Sequence, residues 1–190
     1  ERLGREDIRI ANQFALYGLR NTACEFSVNQ LVESFKELGF KIYWEKADRI
    51  MDLLRQAFLL MKVEEHAFAL KPQTTATPKV YGIDPGIVFA VSRANQQDVG
   101  KRFETAVYLE LRRRMAGKRT ESITSYTAPG PRGQKVDFLL GDALAAEPYA
   151  LIQVTASMAS PRTREREVDS LVAAMEATGI KEGTIVTLRE

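Results

Sequence analysis

Apolar residues recur at helical spacing three times in the first sixty positions. Ile8, Ile10, Ala11, Phe14 and Ala15 form one stripe over Glu6–Tyr17, broken at Asn21-Thr22. Ser27 reads as the N-cap of a second helix, with Val28, Leu31, Val32, Phe35 and Leu38 inward and Gly39 as its stop. A third helix runs through IYWEKADRIMDLLRQ on Ile42, Ala47, Ile50, Met51, Leu53 and Leu54. The pattern then turns to strand in AFLLMKVEEHAFAL, to a polar loop over Lys71–Pro78, and to strand again in KVYGID. Helices joined by a short Gly-containing turn, then strand, loop and strand, predict a winged helix with its wing near Lys71–Pro78. Asp84-Pro85-Gly86 reads as a turn and GIVFAVSRANQQDVG as a linker, which puts a boundary near Arg93–Gln97 and two domains at 1–94 and 95–190.

The second half mixes both periods. It predicts a helix over Val99–Met115, strands over Ser122–Thr127, Lys135–Leu140 and Tyr149–Ala156, a helix over Arg162–Ala177 and a strand over Gly183–Leu188. A Pro/Gly turn over Ala128–Gln134 joins the first two strands. LIQVTASM and TIVTL are nearly continuous apolar runs, as buried central strands are. In the last helix Val168, Leu171, Val172 and Met175 are the expected packing stripe. Arg164, Glu165, Arg166 and Glu167 are the expected solvent or site face. The fold class expected is α/β (α+β), an N-terminal winged helix followed by an αβββαβ domain.

Composition narrows the partners. An apolar share of 45% supports a core, and 27% charge supports a soluble surface. The net charge of +2 announces no nucleic acid by itself, but Lys101–Arg119 holds seven Lys or Arg against Glu104 and Glu110. On the third helix Lys41, Tyr43, Lys46 and Arg49 are candidates for a DNA groove, offset by Glu45, Asp48 and Asp52. The single cysteine, Cys24, excludes an internal disulfide and fits a reducing, cytoplasmic compartment. No apolar run is long enough to span a membrane, and ERLGREDIRIAN is no signal peptide. The chain starts without Met, which reads as either a fragment or a renumbered chain. It carries no phosphate-binding G-x-x-x-x-G-K-[ST] loop. His66, the only histidine, reads as a strand-end surface residue.

Glu104, Asp137 and Gln153 each stand among apolar neighbours on separate segments, KRFETAVYLEL, QKVDFLLGD and LIQVT. Three oxygen donors gathered at a sheet edge suit a hard cation, magnesium or manganese, which activates water for attack on a phosphodiester. The order helix–acid, hairpin–acid, strand–acid-x-Lys resembles the restriction-endonuclease-like, PD-(D/E)xK, superfamily. More closely, KVYGIDPGI (Lys79–Ile87), GKRFETAVYLELRRR (Gly100–Arg114), KVDF (Lys135–Phe138), LIQV (Leu151–Val154) and TRERE (Thr163–Glu167) resemble the C-terminal half of archaeal and bacterial AAA-type ATPases. In that group a winged helix precedes a nuclease-like domain of unknown function. The resemblance implies metal ligands at Glu104, Asp137 and Gln153, a catalytic position at Thr155, and ATP only in an ATPase part that this chain lacks. It also implies partners in DNA and in that ATPase part, and an oligomer.

The last motif departs from the pattern. Glu-x-Lys is here Gln153-Val154-Thr155, so a neutral oxygen replaces a carboxylate and a hydroxyl replaces the cation. Arg162, Arg164 and Arg166 at the start of the next helix are the candidates for a migrated basic residue in place of that lysine. The nucleic-acid-binding candidates are Lys41, Lys46, Arg49, Lys101, Arg102, Arg112, Arg113, Arg114, Arg164 and Arg166. The leading expectation is a nucleic-acid-binding module with a degenerate site. The alternatives are an active magnesium-dependent DNA nuclease and a protein–protein interaction module.

Overall fold

A computed structural model describes residues 5–66, 77–92, 99–130, 133–145 and 147–189. Among them the protein is mixed α/β, with six helices and two sheets. They fall into two compact units, one drawn from 1–62 and 77–105 and the other from 63–76 and 106–190. No helix among the described residues is long and apolar enough to cross a membrane.

The first unit carries α1 (Arg5–Arg20), β1 (Cys24–Glu25), α2 (Val28–Glu37), α3 (Trp44–Gln56), β2 (Leu60–Val63), β3 (Lys79–Gly82) and α4 (Pro85–Ser92). Ser27 caps α2, its hydroxyl accepting from Gln30 N at 3.4 Å. The apolar stripes meet as expected: Ile10, Phe14, Leu31, Phe35, Ala47 and Ile50 are buried in one cluster, with the Phe14 and Phe35 rings edge to face at 4.6 Å. Leu38, expected inward, is 70% exposed because α2 ends one residue before it. The sheet has the order β1-β3-β2, with β1 antiparallel to β3. The two-residue β1 was not expected from the pattern.

The linker expected after Asp84 begins instead as a helix, α4. Asp84 Oδ1 accepts from Gly86 N at 2.6 Å and Ile87 N at 2.9 Å, an N-cap that the following Pro85 reinforces. Val88 anchors it at 2% exposure. The expected boundary at Arg93–Gln97, and most of the expected wing over Lys71–Pro78, lie outside the described residues. A chain of hydroxyls ties β3 to the first turns of the helix that starts at Val99. Gly82 N donates to Thr22, which shares a 2.8 Å bond with Thr105, whose hydroxyl donates to Lys101 O at 2.7 Å.

The second unit is built on a four-stranded sheet, β4 (Glu121–Thr127), β5 (Lys135–Asp142), β6 (Glu147–Ser157) and β7 (Gly183–Arg189), in that spatial order. β4, β5 and β6 are antiparallel and β7 is parallel to β6. The long helix α5 (Val99–Met115) precedes the sheet in sequence, and within this unit its Tyr108 ring stacks on Phe138 at 5.9 Å. The second helix, α6 (Pro161–Thr178), packs on the sheet and supplies the β6–β7 crossover. Tyr126, Leu139, Leu151, Leu171 and Ala174 make the core under it. Gly179, at φ +77°, closes α6 in the left-handed region and its N–H donates to Met175 O. Gly183 starts β7 so close to the helix that an added Cβ would meet Leu171 Cγ at 2.6 Å.

The packing stripe of α6 differs from the expected one. Glu167, Ser170, Leu171 and Ala174 are buried, whereas Val168 and Val172 are 39% and 44% exposed. The helix is turned by about one residue, some 100°, so that a carboxylate rather than a valine faces the sheet.

Candidate functional site

The turned helix brings Glu167 over the point where the sheet parts. β5 and β6 stay paired as far as Phe138↔Ile152. Below that pair β5 continues with β4 through Val136↔Tyr126, and β6 continues with β7 through Gln153↔Ile185 and Val154↔Val186. The two central strands thus form a fork, with Asp137 on one prong and Gln153 on the other. Both lie on the face that Leu139 and Leu151 present to α6, since side chains two apart on a strand share a face.

Side chains take over from the backbone ladder at the fork. Asp137 N donates to Gln153 Oε1 at 3.1 Å, and Val154 N donates to Asp137 Oδ2 at 3.0 Å. The far side of the Gln153 amide is also committed: Nε2 donates to Glu167 Oε2 at 2.5 Å. The other oxygen of Glu167, Oε1, accepts from Arg166 Nε at 3.2 Å and from Arg166 Nη2. Gln153 and Glu167 are only 6% and 4% exposed, so these bonds offset a substantial desolvation cost. The amide orientation follows from the partners. Its oxygen faces an N–H and its nitrogen faces a carboxylate, and the reverse orientation would oppose donor to donor and acceptor to acceptor.

The other expected site residues have the following bonds, each within its own unit. Glu104 is bonded within the first unit: Lys79 Nζ and the buried Tyr81 hydroxyl both donate to its Oε1, at 2.9 and 2.8 Å. Lys79 and Tyr81 alternate on β3 and so reach the same side, a spacing visible in KVYG but not singled out as a site. Thr155 is half-buried and donates to Ser157 O at 3.4 Å. Of the set expected at Glu104, Asp137 and Gln153, the second unit holds Asp137 and Gln153 as a bonded pair. Glu167, assigned in sequence only to a solvent or site face, joins that pair within the unit.

Among the basic candidates, Lys46 is ion-paired with Asp7 at 2.5 Å, while Lys41 and Arg49 are exposed. Lys101 is half-buried, and Arg102 places its guanidinium 5.1 Å from the Phe89 ring centre. Arg113 and Arg114 both donate to Glu110 at 2.7 Å. Those hydrogen bonds, Arg113 first, bring the Glu110 carboxyl down to about 2. Arg112 lines a shallow hollow of about 330 Å³ with Tyr108, Met115, Ala116, Glu121 and Ile123. Arg164 is exposed and its Nε lies 3.5 Å from Met158 O. His66 is half-buried rather than on the surface. Burial lowers its pKa, and its backbone N–H donates to Ser125 O at 2.7 Å.

No family model, curated protein or solved structure matches the chain.

The fork does not suit a magnesium ion as it stands. Such an ion takes oxygen ligands in a near-octahedral shell. Here the Gln153 oxygen accepts an N–H, its nitrogen is a donor, and both Glu167 oxygens are taken by Gln153 and Arg166. What the arrangement does chemically is bury one carboxylate between the Gln153 amide and the exposed Arg166 guanidinium.

Proposed function

We propose that the chain is the winged-helix and restriction-endonuclease-like part of an AAA-type ATPase, and that its second unit binds nucleic acid through the phosphate backbone without cleaving it. The observation that carries this reading is the fork. Asp137 and Gln153, the two positions the motif pairs, do meet at the parting of β5 and β6, but through an amide whose two ends are committed. The order α5-β4-β5-β6-α6-β7, with β7 parallel to β6, supports the same assignment. Arg112, Arg113, Arg114 and Arg166 are exposed cations suited to phosphate oxygens. In the first unit α3 offers less: Glu45 and Asp52 are exposed on the same helix as Arg49.

A gel shift with linear and branched DNA at two salt concentrations, run beside a cleavage assay with magnesium and with manganese, tests the proposal. Expected are sequence-independent complexes that weaken with salt, and no nicked product. Cleavage that is lost in Asp137→Asn overturns the non-cleaving part. Failure to shift any DNA overturns the binding part.

A further inference from the structure

We infer that Gln153 takes the place of a divalent cation: its neutral amide links the Asp137 strand to the buried Glu167, so that the closed fork needs no metal and a single change, Gln153→Glu, creates a cation-dependent site. The inference draws on the nuclease-like reading only for which ion to try. The hydrogen bonds alone carry it, and its test involves no DNA.

A cation between two carboxylates cancels their repulsion and bridges their oxygens. In this protein an N–H of Gln153 reaches Glu167 Oε2 at 2.5 Å, and the amide oxygen receives Asp137 N on the other strand. One side chain thus presents a donor to the helix and an acceptor to the strand. A carboxylate at 153 still accepts from Asp137 N, but its second oxygen then faces Glu167 Oε2 at hydrogen-bond distance with no proton between them. Like charges this close cannot both ionise, so the pair must hold a proton, separate or capture a cation. The bonds described for Gln153 and its partners bring in Glu167 and Arg166 from α6 and Asp137 from β5; its β7 neighbour in register is the apolar Ile185. Arg166 offsets part of the added charge but approaches Glu167 on the other oxygen, Oε1.

Melting curves of the parent and of Gln153→Glu at pH 8 and pH 5, with EDTA or with 1 mM manganese chloride, test this. The parent is expected to melt at the same temperature with EDTA and with manganese. With EDTA at pH 8 the variant should melt lower by roughly 5–10 °C, the scale of an uncompensated buried charge in a chain of this size. The deficit should shrink at pH 5, because a carboxyl pair whose folded pKa is raised is penalised only as pH rises towards and through that value. Manganese at about 100 times its Kd should recover several degrees of it at pH 8.

A second variant keeps the inference open to refutation even where Gln153→Glu fails to fold. Gln153→Glu with Glu167→Gln reverses the donor and acceptor, and should melt closer to the parent than Gln153→Glu does. A manganese-dependent rise in the parent that Asp137→Asn abolishes overturns the inference, as does a reversed pair no more stable than Gln153→Glu. So does a Gln153→Glu protein that melts with the parent under all four conditions.

Discussion

Glu110→Gln is expected to tighten DNA binding, an outcome opposite to that of truncating the arginines beside it. Glu110 accepts both donors of Arg113 and the Nε of Arg114, all at 2.7 Å. With its pKa at about 2 it stays ionised at any assay pH, drawing both guanidinium groups along the helix. Arg112 lies two positions on, about 200° around the helix axis, and is not part of that pairing. Glu110 and the three arginines together carry +2, three positive charges less one, and the substitution raises this to +3. If one more duplex phosphate is neutralised, the log–log slope of affinity against salt steepens by about 0.9, which is about a 3.5-fold change over a fourfold range of salt. Arg113 and Arg114 are 72% and 70% exposed, so solvent screens their pairing and the substitution should leave stability nearly unchanged. Fluorescence anisotropy with a mixed-sequence duplex at three salt concentrations reads both affinity and slope. Arg112→Ala with Arg113→Ala and Arg114→Ala should flatten the slope by about 1–3 units. Glu110→Gln and the triple variant both binding as the parent does, with an unchanged slope, would remove this helix face from any account of nucleic-acid binding.

Two further outcomes follow from pairings in each unit. Glu104→Gln removes the charge facing Lys79, where the side chains are 13% and 16% exposed, and should cost about 2 kcal/mol, read as a melting temperature lower by roughly 4–8 °C; an unshifted melt would show that the contact contributes nothing to stability. Tyr149 donates to Glu121, and burial together with that carboxylate pushes its pKa up to about 12. The raised value means that its contribution to stability is fully present below pH 10 and fades as pH rises through 12. Absorbance titration should show one fewer late-ionising tyrosine in Glu121→Gln than in the parent; identical curves would refute the pairing.

Most elements were legible because their periodicity is strong and their ends carry caps. Ser27, Gly39 and the Pro/Gly run before Lys135 mark real ends, and the helices and strands from Val99 onwards fall close to where the pattern puts them. Asp84 was visible as a turn residue, yet its carboxylate starts a helix, because an Asx turn and an N-cap share the same first hydrogen bonds. The error on α6 has a different cause. Two stripes one residue apart compete there, Val168-Leu171-Val172-Met175 and Glu167-Ser170-Leu171-Ala174. Hydrophobicity favours the first, whereas Gln153 on the preceding strand bonds Glu167 of the second. Asp137 and Gln153 stand out in the sequence as an acid and an amide within apolar strands, and the structure bonds them to each other. Glu167 does not stand out, since its partner is 14 residues away in another element. The role of Glu104 depended on Lys79 and Tyr81, which are reached from a different strand.

The fork also determines how the backbone can be watched. At most positions in a sheet, protection of an amide from hydrogen exchange reports on a whole ladder opening together. Asp137 N and Val154 N are guarded instead by one side chain each, the Gln153 amide and the Asp137 carboxylate. Their exchange rates therefore register the state of two individual side chains against a slowly opening background. In this protein a local rearrangement at the fork has its own pair of backbone reporters, on opposite strands.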